Sequence, residues 1–351
     1  MKPLVLHFLN VGKGDCTIIE HPSGRVSMVD INATRAIDPD IEEDIAKSYA
    51  GISDPSYLLY VLMGGPEKQL IQENIQKYVD ALTHPLEYYL AFIGPKPLFR
   101  FIATHPDMDH LSGLREMERM VEVGQFPAMV NYWDTYNHET KSGDFGQYDK
   151  ADWLAYKRLR ESEGSPRCLR LRRGQQAVFY NKDESGGRGD NIYVWAPSKD
   201  LEDQAPEHGV NSYSYVLLLE HGKSRIVLGG DADADTTWES LRTLYPLQKD
   251  IFENISILKA SHHGLKSGYH KEMVEAMSPR FTVVSTGKKN TNDASTLYSQ
   301  YSPNVLSTRW WGNICAVCWE DGDIWLYTQN DREDAKYIHK STGYFRYEEK
   351  R

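Results

Sequence analysis

The sequence predicts an α/β protein in which helices cover the faces of buried sheets. Short apolar runs of strand length recur along the whole chain, and stretches with helical spacing separate several of them. Strands mixed with helices in this way are typical of folds whose helices pack on sheet faces. The 351 residues suit either two domains of about 150 residues each or one elaborated domain.

The composition excludes several classes of protein. Apolar residues make up 40% of the chain and charged residues 26%, as in globular proteins. The longest apolar runs, such as 215–219, are far shorter than the ~18 residues of a membrane span, so we expect no membrane partner. The N-terminus lacks the pattern of a signal peptide and four cysteines do not form a disulfide scaffold, so we expect a cytoplasmic protein.

The net charge of −10 bears on the class of partner. It argues against unassisted binding of duplex nucleic acid, because that affinity comes from neutralising phosphates. A small phosphate-bearing substrate remains compatible with this charge. The stretch 157–173 is locally basic, with seven Lys or Arg residues. It could line a channel for a polyanion or form a solvated surface.

In the first half of the chain, predicted strands lie on both sides of a helical segment. We predict strands at 4–9, 16–20, 26–29 and 98–103, with a helix after residue 110. Residues 33–97 contain apolar positions at helical spacing, and we interpret them as a helical insertion. Residues 124–190 are irregular, aromatic and partly basic, and we interpret them as a second insertion.

The second half is a run of short apolar segments. We predict strands at 192–196, 214–220, 225–229, 255–260, 281–285, 314–319 and 324–328, with helices at 236–244 and 271–277. Continuous apolar runs of this length are typical of strands that are covered on both faces.

Four side chains that can bind metal lie within six residues, directly after the strand at 98–103. They are His105, Asp107, Asp109 and His110. Imidazole and carboxylate groups are the ligands of Zn, Mn and Fe sites in proteins. A solvated polar loop is the alternative interpretation of this cluster taken alone.

Two further strand ends carry side chains of the same types. Asp231 follows the strand at 225–229, and His262 and His263 follow the strand at 255–260. We expect three strand ends of one sheet to bring these groups together. Asp231 could then bridge two ions about 3.5–4 Å apart, as in two-metal hydrolases. Each motif taken alone has another interpretation. Asp231 could be an aspartate in a turn, and His262 and His263 could be a pair of histidines at the start of a helix.

The order of these motifs resembles the metallo-β-lactamase superfamily, and within it the hydrolase domain of ComEC-type DNA-uptake proteins. The resemblance rests on the segments LHFLNVGKGDCTIIEHPSGRVSMVDIN, THPDMDHLSGL, NSYSYVLLLEHGKSRIVLGGDAD, ILKASHHGLKSG and FTVVSTGKKN. It implies a single domain, 1–351, with a four-layer αββα sandwich that contains the helical insertion 33–97 and the irregular insertion 124–190.

The resemblance also implies a set of ligands for two divalent ions. His105 and Asp107 would bind the first ion, and Asp109 and His110 would bind the second. Asp231 would bridge the two ions, and His263 would complete the second site.

The resemblance further implies roles beyond metal binding. Asp109 would orient the attacking hydroxide, and His262 would face the substrate or act as a general acid. A histidine that only packs against its neighbours is the alternative for His262. Asp30 would be a structural carboxylate near the site, and the turn 12–15 would be architecture.

The chain departs from the superfamily pattern at several positions. Asp107 replaces the second histidine of the usual HxHxDH motif, and Asn211 replaces a usually isolated histidine. An oxygen-rich first site favours Mn over Zn or leaves that site partly empty, so we expect one or two divalent ions, Zn or Mn. Asn211 and Asn290 are the candidate substrate contacts, and no histidine follows Asn290 where the family tends to have one.

We therefore expect a metal-dependent hydrolase, a phosphodiesterase or nuclease that uses a metal-bound hydroxide. Its phosphate-containing substrate would be single-stranded DNA or a nucleotide. A hydrolase of a small phosphoester or cyclic nucleotide is an alternative, which the acidic charge suits better than duplex DNA. A lactamase-like or thioester hydrolase is disfavoured by Asp107 and Asn211. A catalytically weak binding or scaffold protein, with its function in the insertions, is the alternative from a different class.

Overall fold

The structure is a computed structural model, and it describes most of the chain. The described residues are 2–35, 37, 41–45, 63–65, 68–137, 139–175, 189–287, 292–332, 334–338 and 342–350, without the side chains of 204–208 and 335–338. Parts of the predicted insertions 33–97 and 124–190 therefore lie outside the described residues.

Sixteen strands are present in the described part of the chain. They are β1 Leu4–Phe8, β2 Thr17–Glu20, β3 Val26–Val29, β4 Leu98–Ile102, β5 Met129–Asp134, β6 Arg167–Arg170, β7 Ile192–Ala196, β8 Val216–His221, β9 Ser224–Leu228, β10 Ile257–Lys259, β11 Phe281–Val284, β12 Asn304–Ser307, β13 Ile314–Cys318, β14 Ile324–Thr328, β15 Ala335–Ile338 and β16 Phe345–Tyr347. Several of these strands are buried along their whole length, which explains their nearly continuous apolar sequence.

The strands form two sheets. The first has the order β15-β16-β14-β13-β1-β2-β3-β4-β5-β6, and the second has the order β12-β11-β10-β9-β8-β7. Each sheet contains a parallel run, β3 to β6 in the first and β9 to β12 in the second. Loops that follow the strands of one parallel run emerge at the same edge of their sheet, where sites in α/β proteins usually lie.

The helices are short and lie mostly between strands. Their bounds are Lys68–Asp80, Pro85–Tyr88, Leu114–Glu122, Lys150–Arg160, Lys199–His208, Glu239–Arg242, Tyr245–Gln248, Lys271–Met277, Ser295–Tyr298 and Thr308–Trp311. The helix Leu114–Glu122 buries Leu114 and Met117, which are three positions apart and so share one face. Asp149 caps the helix Lys150–Arg160 by accepting a hydrogen bond from the amide of Ala151.

Three apolar clusters define the layers of the molecule. The central cluster lies between the sheets and joins residues of the first, such as Leu6, to residues of the second, such as Ile257. A second cluster packs helices on the outer face of the first sheet, and Met117 belongs to it. A third packs helices on the outer face of the second sheet, and Val274 belongs to it. The order helix, sheet, sheet, helix confirms the predicted four-layer αββα sandwich.

The interval 124–190 is more regular than the sequence suggested. It contains β5, the helix Lys150–Arg160 and β6, and both strands extend the parallel run of the first sheet. The polar residues Asn131 and Asp134 interrupt the apolar sequence of β5, so the sequence does not indicate a strand there, although both residues are buried. Within 33–97 the described residues include the helices Lys68–Asp80 and Pro85–Tyr88.

No helix of the described residues is long and apolar enough to span a membrane.

Candidate metal centre

The predicted metal-binding side chains other than Asp107 meet at one edge of the sandwich, but they come from both sheets. Residues 105–110 follow β4 of the first sheet, whereas Asp231 follows β9 and the two histidines 262 and 263 follow β10 of the second sheet. The expectation that one sheet supplies all three strand ends is therefore wrong. The strand ends meet because the two sheets pack face to face.

Four side chains form the centre of this cluster. His110 Nε2 lies 3.3 Å from Asp231 Oδ1. His263 Nε2 lies 3.4 Å from Asp231 Oδ2 and 3.4 Å from Asp109 Oδ2. These four residues are the set that the resemblance implies for the second ion and the bridge.

Asp15 also reaches the cluster, which the sequence interpretation missed. One ligand atom from each of Asp15, His110, Asp231 and His263 lies within 4.8 Å of the others. The turn that carries Asp15 approaches the loop after β4 closely, because Gly14 has a φ of +124° and a Cβ there would lie 2.4 Å from the backbone oxygen of Asp109. The Gly-x-Gly-Asp motif is the sequence signal for this contact, although the sequence favours architecture over a phosphate cradle for the turn 12–15.

Hydrogen bonds fix the rings of the two histidines that follow β4. His110 Nδ1 lies 2.8 Å from Asp30 Oδ2, and Thr104 donates its amide and its hydroxyl to the same carboxylate. His105 Nδ1 lies 3.1 Å from Thr104 Oγ1 and 3.3 Å from Ser214 Oγ. Because these contacts use Nδ1, the Nε2 atom of each ring is left to face the cluster.

Several buried polar atoms of the cluster have no hydrogen-bond partner among the described residues. They are Nε2 of His105 and His110, both ring nitrogens of His263, Oδ1 of Asp231 and Oδ1 of Asp15. Buried polar atoms without partners are rare in folded proteins, and here they converge. Imidazole nitrogens and carboxylate oxygens in this arrangement are the donors of a divalent metal site. The residues therefore fit a divalent ion.

The charges of the cluster shift the pKa values of its members in opposite directions. Burial alone would lower the pKa of His263, but Asp231 and Asp109 raise it to about 10. Burial also opposes the charged form of His110, yet Asp231 and Asp30 raise its pKa well above the usual value.

The carboxylates show the reciprocal effect. Burial would raise the pKa of Asp231 and of Asp109, but His110 and His263 lower both. Both acids are therefore ionised near neutral pH and available as ligands.

Asp107 is bonded outside the cluster. Its Oδ1 accepts a hydrogen bond from the amide of Met108 at 3.0 Å and lies 3.1 Å from Nζ of Lys141. The side chain of Asp107 is 43% exposed, whereas that of His105 is fully buried. His105 Nε2 lies 3.9 Å from Asp231 Oδ2. The first of the two predicted sites thus has fewer donors facing it than the second.

The adjacent histidines 262 and 263 have different surroundings. Both residues have positive φ values, 50° and 55°, which β-carbon sterics disfavour. His262 Nδ1 lies 2.8 Å from Ser267 Oγ, and its Nε2 lies 3.9 Å from Asp231 Oδ2. The side chain of His262 is 25% exposed and that of His263 is 11% exposed. His262 therefore lies at the solvent side of the centre.

Of the two predicted substrate contacts, Asn211 lies in the described residues and Asn290 does not. Asn211 lies in the short helical turn Val210–Tyr213, and its Oδ1 is buried without a hydrogen-bond partner in the described residues. The backbone of this turn leads directly to Ser214, whose hydroxyl contacts His105 Nδ1 and the amide of Asp231. Asn290 lies outside the described residues.

The basic stretch 157–173 is not a continuous row of open cations. Arg158 pairs with Glu118, Arg160 with Asp134, and Arg172 with Glu202. These ion pairs offset much of the local positive charge that a polyanion channel would need.

Comparison with known proteins gives partial matches. No protein-family model matches the chain. Recombination protein 2 of Haemophilus influenzae is 31% identical over 80 residues, which is 23% of this chain and 9% of the relative. ComE operon protein 3 of Bacillus subtilis strain 168 is 30% identical over 111 residues, 29% of this chain and 13% of the relative. The matches confirm the resemblance to ComEC-type proteins, and they span a small part of those relatives.

Three solved structures are similar at low identity. YhfI of Bacillus subtilis, a metallo-β-lactamase fold protein, has a TM-score of 0.44 and 9% identity, covering 93% of this chain and 100% of its own. CmlA, a diiron β-hydroxylase of Streptomyces venezuelae, has a TM-score of 0.38 and 12% identity over 81% and 45% of the two chains. A β-lactamase domain protein of Burkholderia ambifaria has a TM-score of 0.32 and 15% identity over 80% and 65%. The αββα assignment rests on the sheets and clusters of this chain itself.

Proposed function

We propose that this chain is a metal-dependent phosphodiesterase that cleaves single-stranded DNA. The observation that carries the proposal is the cluster of Asp109, His110, Asp231 and His263. In the described residues, His110 Nε2, both ring nitrogens of His263 and Asp231 Oδ1 are buried without a hydrogen-bond partner, and such atoms suit a divalent ion. The choice of a nucleic-acid phosphodiester is supported by the partial matches to Recombination protein 2 and ComE operon protein 3.

A divalent ion held by these residues supplies Lewis acidity toward a phosphoryl oxygen and lowers the pKa of a water molecule. Asp30 holds the ring of His110 through Nδ1, so that Nε2 faces Asp231 Oδ1 at 3.3 Å and would be available as a ligand. Asp109 offers a second carboxylate oxygen that can accept a proton from water and orient it for attack. These are positioning tasks that the ionised carboxylates perform without rearrangement.

His262 is the candidate proton donor to the leaving group. The contact of its Nδ1 with Ser267 Oγ fixes the ring, and its Nε2 lies 3.9 Å from Asp231 Oδ2. Its partial exposure leaves room for a substrate beside it. An imidazole in that place can donate a proton from Nε2 to the departing oxygen.

A small phosphoester or cyclic nucleotide is the second candidate substrate. The net charge of −10 and the ion pairs of Arg158, Arg160 and Arg172 favour it over a long polyanion. The catalytic groups would be the same for both substrates, because both contain a phosphodiester or phosphoester bond.

The proposal is tested by comparing substrates on one purified protein. Metal-stripped full-length chain is supplied with Mn²⁺ and given labelled single-stranded DNA, duplex DNA or a cyclic dinucleotide, with chelator as the blank. We expect single-stranded DNA to be cleaved, and Asp109→Asn to lower the rate by about 10²-fold or more. Asp203→Asn serves as the control, since Asp203 is exposed and forms its ion pair with Lys199, four residues before it in the chain.

Two results would change the conclusion. Faster cleavage of the cyclic dinucleotide would favour the second candidate. No metal-dependent cleavage of any phosphodiester would contradict the proposal and favour a binding or scaffold role.

A further inference from the structure

We propose that the ion pair between Lys141 and Asp107 keeps Asp107 from acting as a ligand of the first ion, so that this chain binds a single divalent ion, in the second site. The inference rests on the proposed metal centre and specifies its stoichiometry. It comes from the contact between Lys141 Nζ and Asp107 Oδ1 at 3.1 Å, which joins the loop after β4 to the interval between β5 and β6.

In the described residues, few of the ligands that the resemblance implies face the first site. Of the ligands that the resemblance implies, only His105 and Asp231 face each other, with His105 Nε2 3.9 Å from Asp231 Oδ2. Asn211 stands where the superfamily has a histidine, so no second imidazole is supplied there. Protein metal sites that function in catalysis usually have at least three protein ligands. Two donors are too few to hold an ion firmly.

Asp107 would be the third donor, but its carboxylate is already engaged. Its Oδ1 receives the amide of Met108 and the ammonium of Lys141, so it both caps the turn Met108–His110 and forms an ion pair. The pair is partly exposed, with 31% of Lys141 and 43% of Asp107 accessible, and is weak by itself. It needs only to outcompete a site for which the resemblance implies one nitrogen ligand, His105, since His262, whose Nε2 also lies 3.9 Å from Asp231 Oδ2, is assigned to the substrate side.

The charges agree with a single ion. Asp107, Asp109 and Asp231 supply three negative charges to the two predicted sites, and one divalent ion with the Lys141 ammonium supplies three positive charges. Asp15 does not alter this balance, because Lys259 pairs with it at 2.7 Å.

The experiment measures how many ions each protein binds. Metal-stripped full-length chain is titrated with Mn²⁺ alone by calorimetry, and bound metal is then counted by elemental analysis after desalting. We expect one equivalent in the wild type. Lys141→Ala frees Asp107 and should bind a second equivalent, with the electron paramagnetic resonance spectrum changing from that of an isolated Mn²⁺ ion to that of a coupled pair.

Two control variants make the comparison specific. Lys141→Arg keeps the positive charge and should remain at one equivalent. Lys199→Ala removes another exposed lysine, whose Nζ lies 3.0 Å from Asp203 Oδ2. This variant should also bind one equivalent of Mn²⁺. Thermal melting of each variant shows that it is folded.

The outcomes separate this inference from the proposed function. Two equivalents in the wild type, or one equivalent in folded Lys141→Ala, would overturn the role of Lys141 and leave the metal centre intact. No bound ion in the wild type would contradict the proposed function, and this inference with it.

Discussion

Nζ of Lys259 lies 2.7 Å from Oδ2 of Asp15, in a buried ion pair that joins the two sheets beside the metal centre. Lys259 ends β10 of the second sheet, and Asp15 lies in the turn between β1 and β2 of the first. The same Asp15 oxygen is 3.9 Å from His263 Nδ1. The pair therefore connects the packing of the sheets to the position of a predicted metal ligand.

Removing one partner of this pair is expected to destabilise the fold strongly. Lys259→Met leaves the Asp15 carboxylate buried without its counter-ion, which costs about 3–5 kcal/mol of unfolding free energy. Urea unfolding measures the loss, and the double variant Lys259→Met/Asp15→Leu should recover part of it. Lys199→Ala, in an exposed pair, should change the free energy by no more than about 0.5 kcal/mol. A loss in Lys259→Met as small as this control would show that the buried pair contributes little.

Much of the fold follows from local patterns in the sequence. The bounds of β3, β7, β14 and the helix Lys271–Met277 coincide with the predicted ones, because apolar runs and turn residues mark their ends. β5 was missed because Asn131 and Asp134 interrupt its apolar pattern, and their burial depends on contacts with distant residues such as Arg160.

The candidate site, like the fold, is only partly predictable from the sequence. The structure brings Asp109, His110, Asp231 and His263 together as motif order suggested. The pairing of Asp15 with Lys259 spans 244 positions, and no local pattern specifies it. Lys141 lies in an interval without a motif, so its contact with Asp107 is visible only in three dimensions.

Asp231→Asn should remove the ion from the centre. Asp231 lies next to His110 and His263, and its replacement by an amide weakens ligation of the ion. Elemental analysis should show loss of bound metal, and the increase in melting temperature that the wild type gains from Mn²⁺ should disappear. Stoichiometric metal retained in Asp231→Asn would contradict the place of Asp231 in the centre.

The adjacent histidines should behave differently when replaced. His263 faces two carboxylates of the cluster, so His263→Ala should lower metal content and activity together. His262 contacts Ser267 and is more exposed, so His262→Ala should keep the metal and lower turnover by about 10²–10⁴-fold. Metal content and initial rates are measured on the same preparations. Wild-type turnover in His262→Ala would make it a packing residue, and loss of metal from His262→Ala alone would reverse the two roles.

The metal-free protein should lose stability as the pH rises above neutrality. The fold raises the pKa of His263 from 6.5 to about 10, so protonated His263 stabilises the fold fully below pH 6.5. This contribution is lost as the pH rises through 6.5 to about 10. Urea unfolding across that window should show the decline in the metal-free wild type and a smaller one in His263→Gln.

A bound ion should suppress this pH dependence. Ligand nitrogens must be deprotonated to bind metal, so the ion displaces the proton from His263 and its binding strengthens as the pH rises. Equal slopes for wild type and His263→Gln without metal would show that His263 is not the group responsible.

If a single ion in the second site makes this chain a phosphodiesterase, one equivalent of Mn²⁺ should be enough for full activity. The most direct test is the initial rate of single-stranded DNA hydrolysis by metal-stripped protein as Mn²⁺ is added, at a protein concentration above the dissociation constant. We predict that the rate rises linearly to a plateau at one equivalent, and that Asp231→Asn stays at the level of the chelated blank. A rate that does not depend on Mn²⁺, or that is the same in Asp231→Asn, would contradict the account.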